Sequence, residues 1–336
     1  MPLPWFNDNF PLFLAPMAGV SDKIFRQICK EYGADVLTTE FVSAEGIFRR
    51  NHRTREYLEF DEIERPIGVQ LFGADAAHMA EAARQVTDWV GPDFIDLNFG
   101  CPVNKVVCKN GGSALLKDCP ALATVATAVV KAVNPLPVTA KIRIGWDSES
   151  INAVRVAKIL QDLGIAAITV HGRTRAQGYS GNADWNVIGE VAAAISIPVI
   201  GNGDLSSAAM VAERRRQTGI AGAMIGRTAM NAPWIFREIK TYLETGAIPE
   251  APLLKEKWKI ILRHCELAVR AWAAEEPAIR SMRARLMAYS KSMPEAKRLR
   301  ERFAQVSTVA DVEIIAAENL SYERTQTDCR ASASDA

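Results

Sequence analysis

The stretch Phe94-Ile95-Asp96-Leu97-Asn98-Phe99-Gly100-Cys101-Pro102 decides how the rest of the chain is interpreted. It begins as a short, mostly apolar run that is typical of a buried parallel strand, and Gly100 and Pro102 end that strand and turn the backbone. Cys101 therefore lies where a strand becomes a loop. In parallel α/β proteins, ligands and chemistry collect at the carboxyl ends of the strands. A buried cysteine is more often only a small apolar side chain, so this stretch alone leaves both interpretations open.

Similar apolar runs recur before and after this stretch and alternate with amphipathic segments of helical period. They give eight strand candidates: Leu12–Ala15, Val36–Thr39, Ile67–Phe72, Phe94–Leu97, Val138–Ile142, Ala167–Val170, Val199–Gly201 and Gly222–Ile225. Eight such units within residues 1–245 predict an α/β fold, a (β/α)8 TIM barrel. A doubly wound open sheet is the alternative. The barrel is favoured because no Gly-x-Gly-x-x-Gly follows the first strand, and glycine-rich turns instead follow strands seven and eight.

The pattern changes near residue 245, where a Gly- and Pro-containing linker begins. From Lys255 onward the apolar spacing is only helical, with one apolar face around Trp258 and another around Met282. We therefore predict a TIM-barrel catalytic domain in residues 1–245 and a small all-α helical domain in residues 246–322. Residues 323–336 are polar and small, and we expect a disordered tail.

Composition excludes several classes of protein. Half of the 336 residues are hydrophobic (49%), yet no run approaches the length of a membrane span, and the first residues lack a secretory signal. The six cysteines form no Cys-x-x-Cys pair, which indicates reduced thiols and no structural metal. We expect a cytoplasmic monomer without a membrane partner.

The net charge of +1 hides an asymmetry, because residues 252–305 carry 13 Lys and Arg against 6 Asp and Glu. A charged helix face of this kind is either simply solvated or binds a polyanion.

Polar or special residues stand at the carboxyl ends of seven of the eight predicted strands. Buried polar groups are costly unless they are satisfied, so their convergence indicates a polar ligand. The turns Gly201–Asp204 and Gly226–Arg227 each place unobstructed backbone amides before a helix, which suits a phosphate group. Lys141 lies within an apolar strand, where a lysine needs a partner such as the electron-rich edge of a flavin. Gln70 could both donate to and accept from the same ring edge.

These motifs together resemble the tRNA-dihydrouridine synthase family. The resemblance rests on Ala15–Asp22, Gln70, Asp96–Pro102, Gly111–Leu116, Lys141–Arg143, Val170–Thr174, Asn202–Asp204 and Ile225–Arg227, in order along the whole predicted barrel. The elements Asn-x-Gly-Cys-Pro and Val-His-Gly-Arg-Thr are highly specific in combination. The resemblance implies an FMN-dependent barrel that reduces uridines of the tRNA D-loop, with NADPH as the electron donor.

Carried over residue by residue, the resemblance assigns roles to individual side chains. Cys101 would be the proton donor to C5 of the uracil, and the hydride would reach C6 from reduced FMN. The FMN-binding residues would be Pro16, Met17, Ala18, Gln70, Lys141, His171, Asn202, Gly203, Asp204, Gly226 and Arg227.

Contacts to tRNA are predicted in both domains. Asn98 suits a uracil edge, and Arg143 and Arg173 suit phosphate or carbonyl groups of the nucleotide. In the helical domain, clustered basic side chains would grip the RNA backbone at Arg280, Arg283 and Arg285. Many members of the family carry a Lys-His pair where this chain has Ala284-Arg285.

Two other functions are compatible with parts of the sequence. A flavin barrel that acts on a free pyrimidine, such as a dihydroorotate-type dehydrogenase, would share the phosphate turns, the lysine and the cysteine, but would not need the basic helical domain. A non-catalytic RNA-binding protein on a barrel scaffold would not need the full set of polar strand ends.

Overall fold

The computed structural model describes residues 3–7, 9–49, 52–108 and 110–334. The chain divides into two compact units. The first consists of Met1–Gly226 and Trp234–Ile248, and the second of Arg227–Pro233 and Pro249–Ala336. The sequence predicts one division after residue 245. In the structure, the first unit ends at Ile248, and the segment Arg227–Pro233 belongs to the second unit.

The first unit is built on a sheet in which every paired strand is parallel. Its strands are β1 Leu12–Leu14, β2 Leu37–Thr38, β3 Val42–Ser43, β4 Ile67–Phe72, β5 Phe94–Phe99, β6 Val138–Arg143, β7 Ala167–His171, β8 Val199–Asn202 and β9 Gly222–Ile225. Their order is β1-β9-β8-β7-β6-β5-β4-β2, with β3 also paired to β4. A bridge between Phe13 and Val36 brings β1 back to the start of β2, so the sheet is nearly closed. The predicted TIM barrel is confirmed.

The second position in the barrel is occupied by two short strands rather than one. Thr38 pairs with Gly68 and Val42 pairs with Leu71. The chain therefore advances four residues from β2 to β3 while β4 advances three. The extra residue is a bulge, a feature that is common beside active sites. It contains Glu40, which is buried. In the sequence, Ser43 to Phe60 is interpreted as a polar connection after the second strand, and β3 was missed.

Helices connect the strands and continue into the second unit. They are α1 Lys23–Glu31, α2 Ala44–Phe48, α3 His52–Glu56, α4 Ala76–Val90, α5 Asn104–Val107, α6 Cys119–Val133, α7 Ala153–Asp162, α8 Trp185–Ala194, α9 Ala208–Thr218, α10 Arg227–Asn231, α11 Ile235–Thr245, α12 Leu254–Trp272, α13 Glu275–Tyr289, α14 Ala296–Phe303 and α15 Val309–Ser334. Among the described residues, six helices of the first unit begin at a side chain that accepts a backbone N–H of the first turn, namely Asp22, Ser43, Asp75, Asp118, Asp184 and Ser207.

An apolar cluster fills one layer of the barrel interior. It contains Phe13, Phe94, Ile200 and Met224, and the rings of Trp5 and Phe6 pack against it. Phe94 fits because position 68 is glycine: a Cβ atom there would lie 2.2 Å from the Phe94 ring. Next along the strands come polar side chains. Because the apolar layer is packed, we expect a ligand of the barrel at the carboxyl ends of the strands.

The second unit is helical. On α12 the predicted apolar face is buried at Trp258 and Ile261, and the Trp258 indole N–H donates to Asn319 of α15 at 3.1 Å. Helix α15 continues to Ser334, through residues for which the sequence predicts disorder. Their composition of Arg, Gln, Thr, Ala and Ser lacks Pro and Gly, so nothing in it interrupts a helix that is already anchored upstream. Residues 335 and 336 lie outside the described residues.

In the described part of the chain, no helix combines the length and the apolar character that crossing a membrane requires.

Candidate active site

The turn after β5 holds Cys101 in a defined place. The Asn98 side-chain oxygen accepts the backbone N–H groups of Gly100 at 3.0 Å and of Cys101 at 2.9 Å. The Cys101 carbonyl accepts the Ser113 hydroxyl at 2.8 Å. Asn98 and Cys101 are both buried. The Asn98 side chain therefore shapes the turn, a role that the sequence, which predicts a uracil contact, did not reveal.

Cys101 is 5% exposed. Burial raises the pKa of its thiol, and the Val103 backbone and the charges of Arg143 and Lys141 lower it by less. The group is consequently a neutral thiol at physiological pH. A neutral thiol can donate a proton, whereas a thiolate would act as a nucleophile.

Gln70 lies at the register position opposite Asp96 on the neighbouring strand. Its side chain is fully buried and its amide is engaged at both ends. The amino group donates to Asp96 at 2.6 Å, and the carbonyl oxygen accepts from Asn98 at 2.7 Å. The sequence predicts that this amide contacts the cofactor. The structure places it in a hydrogen-bonded chain beneath the mouth of the barrel.

Lys141 projects from β6 and donates to the Asn202 side-chain oxygen at 3.3 Å. Burial lowers the pKa of its amine to about 8, with a further lowering from Arg143 and a smaller, opposite influence from Asp96. Asn202 is held in turn, because its amide donates to the Met224 carbonyl at 2.8 Å. The strands β6, β8 and β9 thus bring two predicted cofactor residues together, and one of them is a lysine whose charge needs an anionic or electron-rich partner.

Arg143 is buried and spans two loops. Its guanidinium donates to the Gly100 carbonyl at 2.9 Å and to the Thr174 and Gly178 carbonyls at 2.8 and 3.0 Å. Its charge centre lies 5.9 Å from the ring centre of Tyr179. The predicted contact of Arg143 with a nucleotide is thus joined by a second role, in which Arg143 ties the Cys101 turn to the loop after β7.

The turn after β8 has unusual backbone geometry. Gly203 has φ +130° and Asp204 has φ +54°, and a Cβ atom on Gly203 would lie 2.6 Å from the Ala183 side chain. The Asp204 carboxylate accepts from the Arg173 guanidinium at 2.7 and 2.9 Å and from the Ala183 backbone at 2.8 Å. Arg173 is 2% exposed and is therefore unlike a surface contact for RNA. Its Nη1 is buried and makes no hydrogen bond among the described residues.

The remaining predicted cofactor residues lie at other strand ends. The turn Pro16–Ala18 is closed by Ser21, whose hydroxyl accepts the Met17 N–H at 2.8 Å, and Glu40 accepts the Gly19 N–H at 2.6 Å. His171 ends β7 and is 7% exposed. Gly226 follows β9, where a Cβ atom would lie at ordinary contact distance from Ala15 and Met17. Arg227 is exposed, begins α10 and belongs to the second unit.

The three arginines predicted to bind tRNA in the second unit differ in exposure. Arg280 is exposed and pairs with Glu276 at 2.6 Å. Arg283 is partly buried and donates to the Val306 carbonyl at 3.0 Å. Arg285 is 7% exposed, which is unlike a surface contact. Position 285 lies three residues after buried Met282, on the face that α13 turns towards the core of its unit.

Two residues of the site were missed in the sequence. Tyr179 is 62% exposed and lies 6.3 Å, between ring centres, from His171. It stands in a loop and carries no periodic signal. Asp96 is 5% exposed and hydrogen-bonds to Gln70 and Thr139. An acidic residue inside an otherwise apolar strand was the signal for it.

The comparison that decides the family is a match to the model of the dihydrouridine synthase family over residues 13–326. The chain belongs to the dihydrouridine synthase family. The match to this family extends from β1 into α15, so it includes both units.

Curated relatives agree with the dihydrouridine synthase family. The chain is 42% identical over 293 residues to tRNA-dihydrouridine synthase B of Pseudomonas aeruginosa, with 87% of each chain covered. It is 42% identical to the protein of the same name from Xanthomonas campestris, with 85% of each covered. A probable tRNA-dihydrouridine synthase of Rickettsia conorii is 40% identical, with 86% of this chain and 87% of the relative covered.

A solved structure outside the dihydrouridine synthase family has a similar fold. Histamine dehydrogenase from Rhizobium sp. 4-9 superposes with a TM-score of 0.51 at 15% identity, and the superposition covers 76% of this chain and 48% of that one. At this identity the likeness concerns the barrel fold alone.

Proposed function

We propose that the barrel mouth holds FMN and reduces the C5=C6 bond of uridines in the D-loop of tRNA. The observation that carries the proposal is the neutral, buried Cys101 thiol at the carboxyl end of β5, on the strand next to the one that bears Lys141. Family membership and relatives named for the same reaction support it. The site thus offers an acid and a cation within one mouth.

The residues at the mouth fit a flavin mononucleotide in chemical type. The turn at Gly203 and the buried, unbonded Nη1 of Arg173 suit an anionic group, as a phosphate requires. Lys141 suits the electron-rich pyrimidine edge of a flavin, because its amine is partly buried and its charge is only partly compensated. We assign FMN binding to these side chains, to the Pro16–Ala18 turn, and to His171, Asn202 and Gly226.

Bound there, FMN supplies the hydride that uracil C6 receives. The side chains of the protein do the rest. The Cys101 sulfur gives its proton to C5 and becomes a thiolate, which then recovers a proton from solvent. The charges of Arg143 and Lys141 favour that thiolate, since both lower the pKa of Cys101. Asn98 keeps the Cys101 backbone in place while the proton moves.

The electron donor, the state of assembly and the compartment are inferred from membership of the family. We propose NADPH as the source of electrons and a monomeric enzyme in the cytoplasm, where tRNA is found. The cysteines support a reducing compartment, because Cys29, Cys101, Cys108, Cys119 and Cys265 are free thiols.

The substrate class is tested with purified, flavin-loaded protein and NADPH under anaerobic conditions. Unmodified tRNA transcript and free UMP are offered in parallel, and dihydrouridine is measured by mass spectrometry. We expect product from tRNA and little from UMP. Product from UMP alone would indicate a free-pyrimidine enzyme, and a colourless protein without flavin absorbance would indicate a non-catalytic RNA-binding protein.

A further inference from the structure

A chain of side-chain hydrogen bonds runs from the barrel interior to the backbone of Cys101. The Thr139 hydroxyl donates to one carboxylate oxygen of Asp96 and the Gln70 amino group donates to the other, both at 2.6 Å. The Gln70 oxygen accepts from the Asn98 amino group at 2.7 Å, and the Asn98 oxygen accepts the Cys101 N–H at 2.9 Å. Asp96 therefore lies two side chains away from the acid of the reaction.

The direction of each bond between Cys101 and Asp96 is determined from the Cys101 end. The Cys101 N–H can only donate, so Asn98 must present its oxygen there and its amino group to Gln70. Gln70 must then present its oxygen to Asn98 and its amino group to position 96. Only a hydrogen-bond acceptor at position 96 completes this series of bonds, and the carboxylate of Asp96 is that acceptor.

Burial makes this arrangement obligatory. Gln70 is 0%, Asp96 5%, Asn98 7% and Thr139 8% exposed, so solvent has little access to replace a lost partner. The sheet also fixes the spacing, because Asp96 stands directly opposite Gln70 on one side and Thr139 on the other.

We propose that Asp96 is a positioning residue for Cys101. Its carboxylate orients the amides of Gln70 and Asn98, and Asn98 in turn holds the turn that carries the thiol. That this positioning serves proton donation rests on the proposed function. The geometric part, in which Asp96 controls how firmly Cys101 is held, can be tested without any substrate.

The variants follow from the donor and acceptor pattern. Asp96→Leu has a similar shape but no acceptor, so the Gln70 amide is no longer oriented. Gln70→Glu places a second carboxylate against Asp96. The double variant Gln70→Glu/Asp96→Asn should again pair every hydrogen-bond donor with an acceptor. The new amide at position 96 can donate to the new carboxylate at position 70, and its oxygen can still accept from Thr139. Thr139→Val is the matched control, since it removes a bond to Asp96 on the side away from Cys101.

The first readout is alkylation of Cys101 by iodoacetamide in the flavin-free protein, followed for the Cys101 peptide by mass spectrometry. Loss of one buried hydrogen bond should raise the rate about tenfold in Asp96→Leu and in Gln70→Glu. The double variant Gln70→Glu/Asp96→Asn and the Thr139→Val control should stay close to wild type. Unchanged alkylation in Asp96→Leu, or no recovery in the double variant, would overturn the proposal.

The second readout is uridine reduction by pre-reduced enzyme. If Asp96 acts through Cys101, Asp96→Leu slows the wild type but adds little further loss to Cys101→Ala, because the acid is already absent. If the loss of rate in the double variant Asp96→Leu/Cys101→Ala equals the product of the two single losses, Asp96 acts independently of Cys101. That result would contradict the proposal. The two proposals fail separately: a wild type that does not reduce tRNA refutes the function, while the alkylation pattern still decides the role of Asp96.

Discussion

The Cys101 side chain combines burial with nearby positive charge. Burial raises the pKa of the thiol, and Arg143 and Lys141 act in the opposite direction with less effect. Such a thiol stays protonated at neutral pH yet has cations close by for the moment at which it becomes a thiolate. This balance suits a group that gives up its proton once per turnover and then takes another.

Replacing Cys101 with alanine should lower uridine reduction about 10²- to 10⁴-fold, the usual contribution of a positioned acid. Flavin absorbance and NADPH oxidation should remain, because neither needs the proton. Cys101→Ser is the matched control, since it keeps the size but not the acidity of the thiol, and it should lose as much. Rapid-mixing measurement of flavin reoxidation by tRNA gives these rates. Full activity in the serine variant would contradict the acid role.

Lys141 predicts a pH dependence of flavin binding. Its pKa is lowered to about 8 in the flavin-free protein, and a bound electron-rich group favours the charged amine. Below pH 8 the amine is already charged. Above it, binding must be accompanied by proton uptake, so FMN affinity should fall by up to about tenfold per pH unit. Fluorescence titrations from pH 7 to 9 measure this.

The matched variant for this measurement is Lys141→Met, which keeps an unbranched side chain and removes the charge. Its FMN affinity should be weaker at pH 7 and should change little up to pH 9. A variant that keeps the wild-type dependence would show that another group titrates.

At the scale of the secondary-structure element, the turn after β8 depends on one glycine. Gly203→Ala places a Cβ atom 2.6 Å from the Ala183 side chain at φ +130°. We expect a loss of about 1–3 kcal/mol in the free energy of unfolding, together with weaker FMN binding. Gly226→Ala is the control, because its Cβ atom meets its nearest neighbours at 3.5 and 3.8 Å. Thermal unfolding of the two flavin-free variants measures the difference in stability. Equal stabilities would show that a Cβ atom at position 203 causes no strain.

Most barrel strands could be predicted because a buried parallel strand is an apolar run between turns, as Phe94–Phe99 shows. Strand β3 could not, since the bulge after β2 leaves it only two residues long, with no period to detect. Cys101, Lys141 and Asn202 were predicted from their places at strand ends. The internal bonding of Gln70 and Arg143 was not, because a sequence does not state which partner a buried polar group chooses.

The same reasoning explains Arg285. Its basic neighbours suggest a surface cluster, but its spacing from Ile279, Met282 and Leu286 places it on the buried face of α13. Charge clustering predicts an exposed side chain at this position and the helical face predicts a buried one, and Arg285 is buried.

At the scale of the whole molecule, the basic charge is concentrated late in the chain while the net charge is only +1. Within the second unit, Lys297, Arg298 and Arg300 of α14 are exposed in addition to Arg280. This distribution is suited to RNA backbone, whose binding depends on neutralising phosphates.

Arg280→Ala should weaken tRNA binding equally for different tRNA sequences and reduce the salt dependence of binding by about one ion. Its exposure means that thermal stability should not change. Arg285→Ala should instead lower the melting temperature and leave tRNA binding largely unchanged, because it removes a buried side chain. Filter binding at several salt concentrations and thermal unfolding provide both comparisons. Equal loss of tRNA affinity in the two variants would place Arg285 at the RNA.

The proposed reaction is best tested by mapping dihydrouridine in total RNA from cells that lack this gene. The deletion strain is supplied with wild type, with Cys101→Ala or with no protein, and each tRNA is sequenced for the reduced base. We predict that particular D-loop positions lose dihydrouridine in the deletion, regain it with wild type and remain uridine with Cys101→Ala. Restoration by Cys101→Ala, or an unchanged map in the deletion, would show that this chain does not reduce uridine in the way proposed.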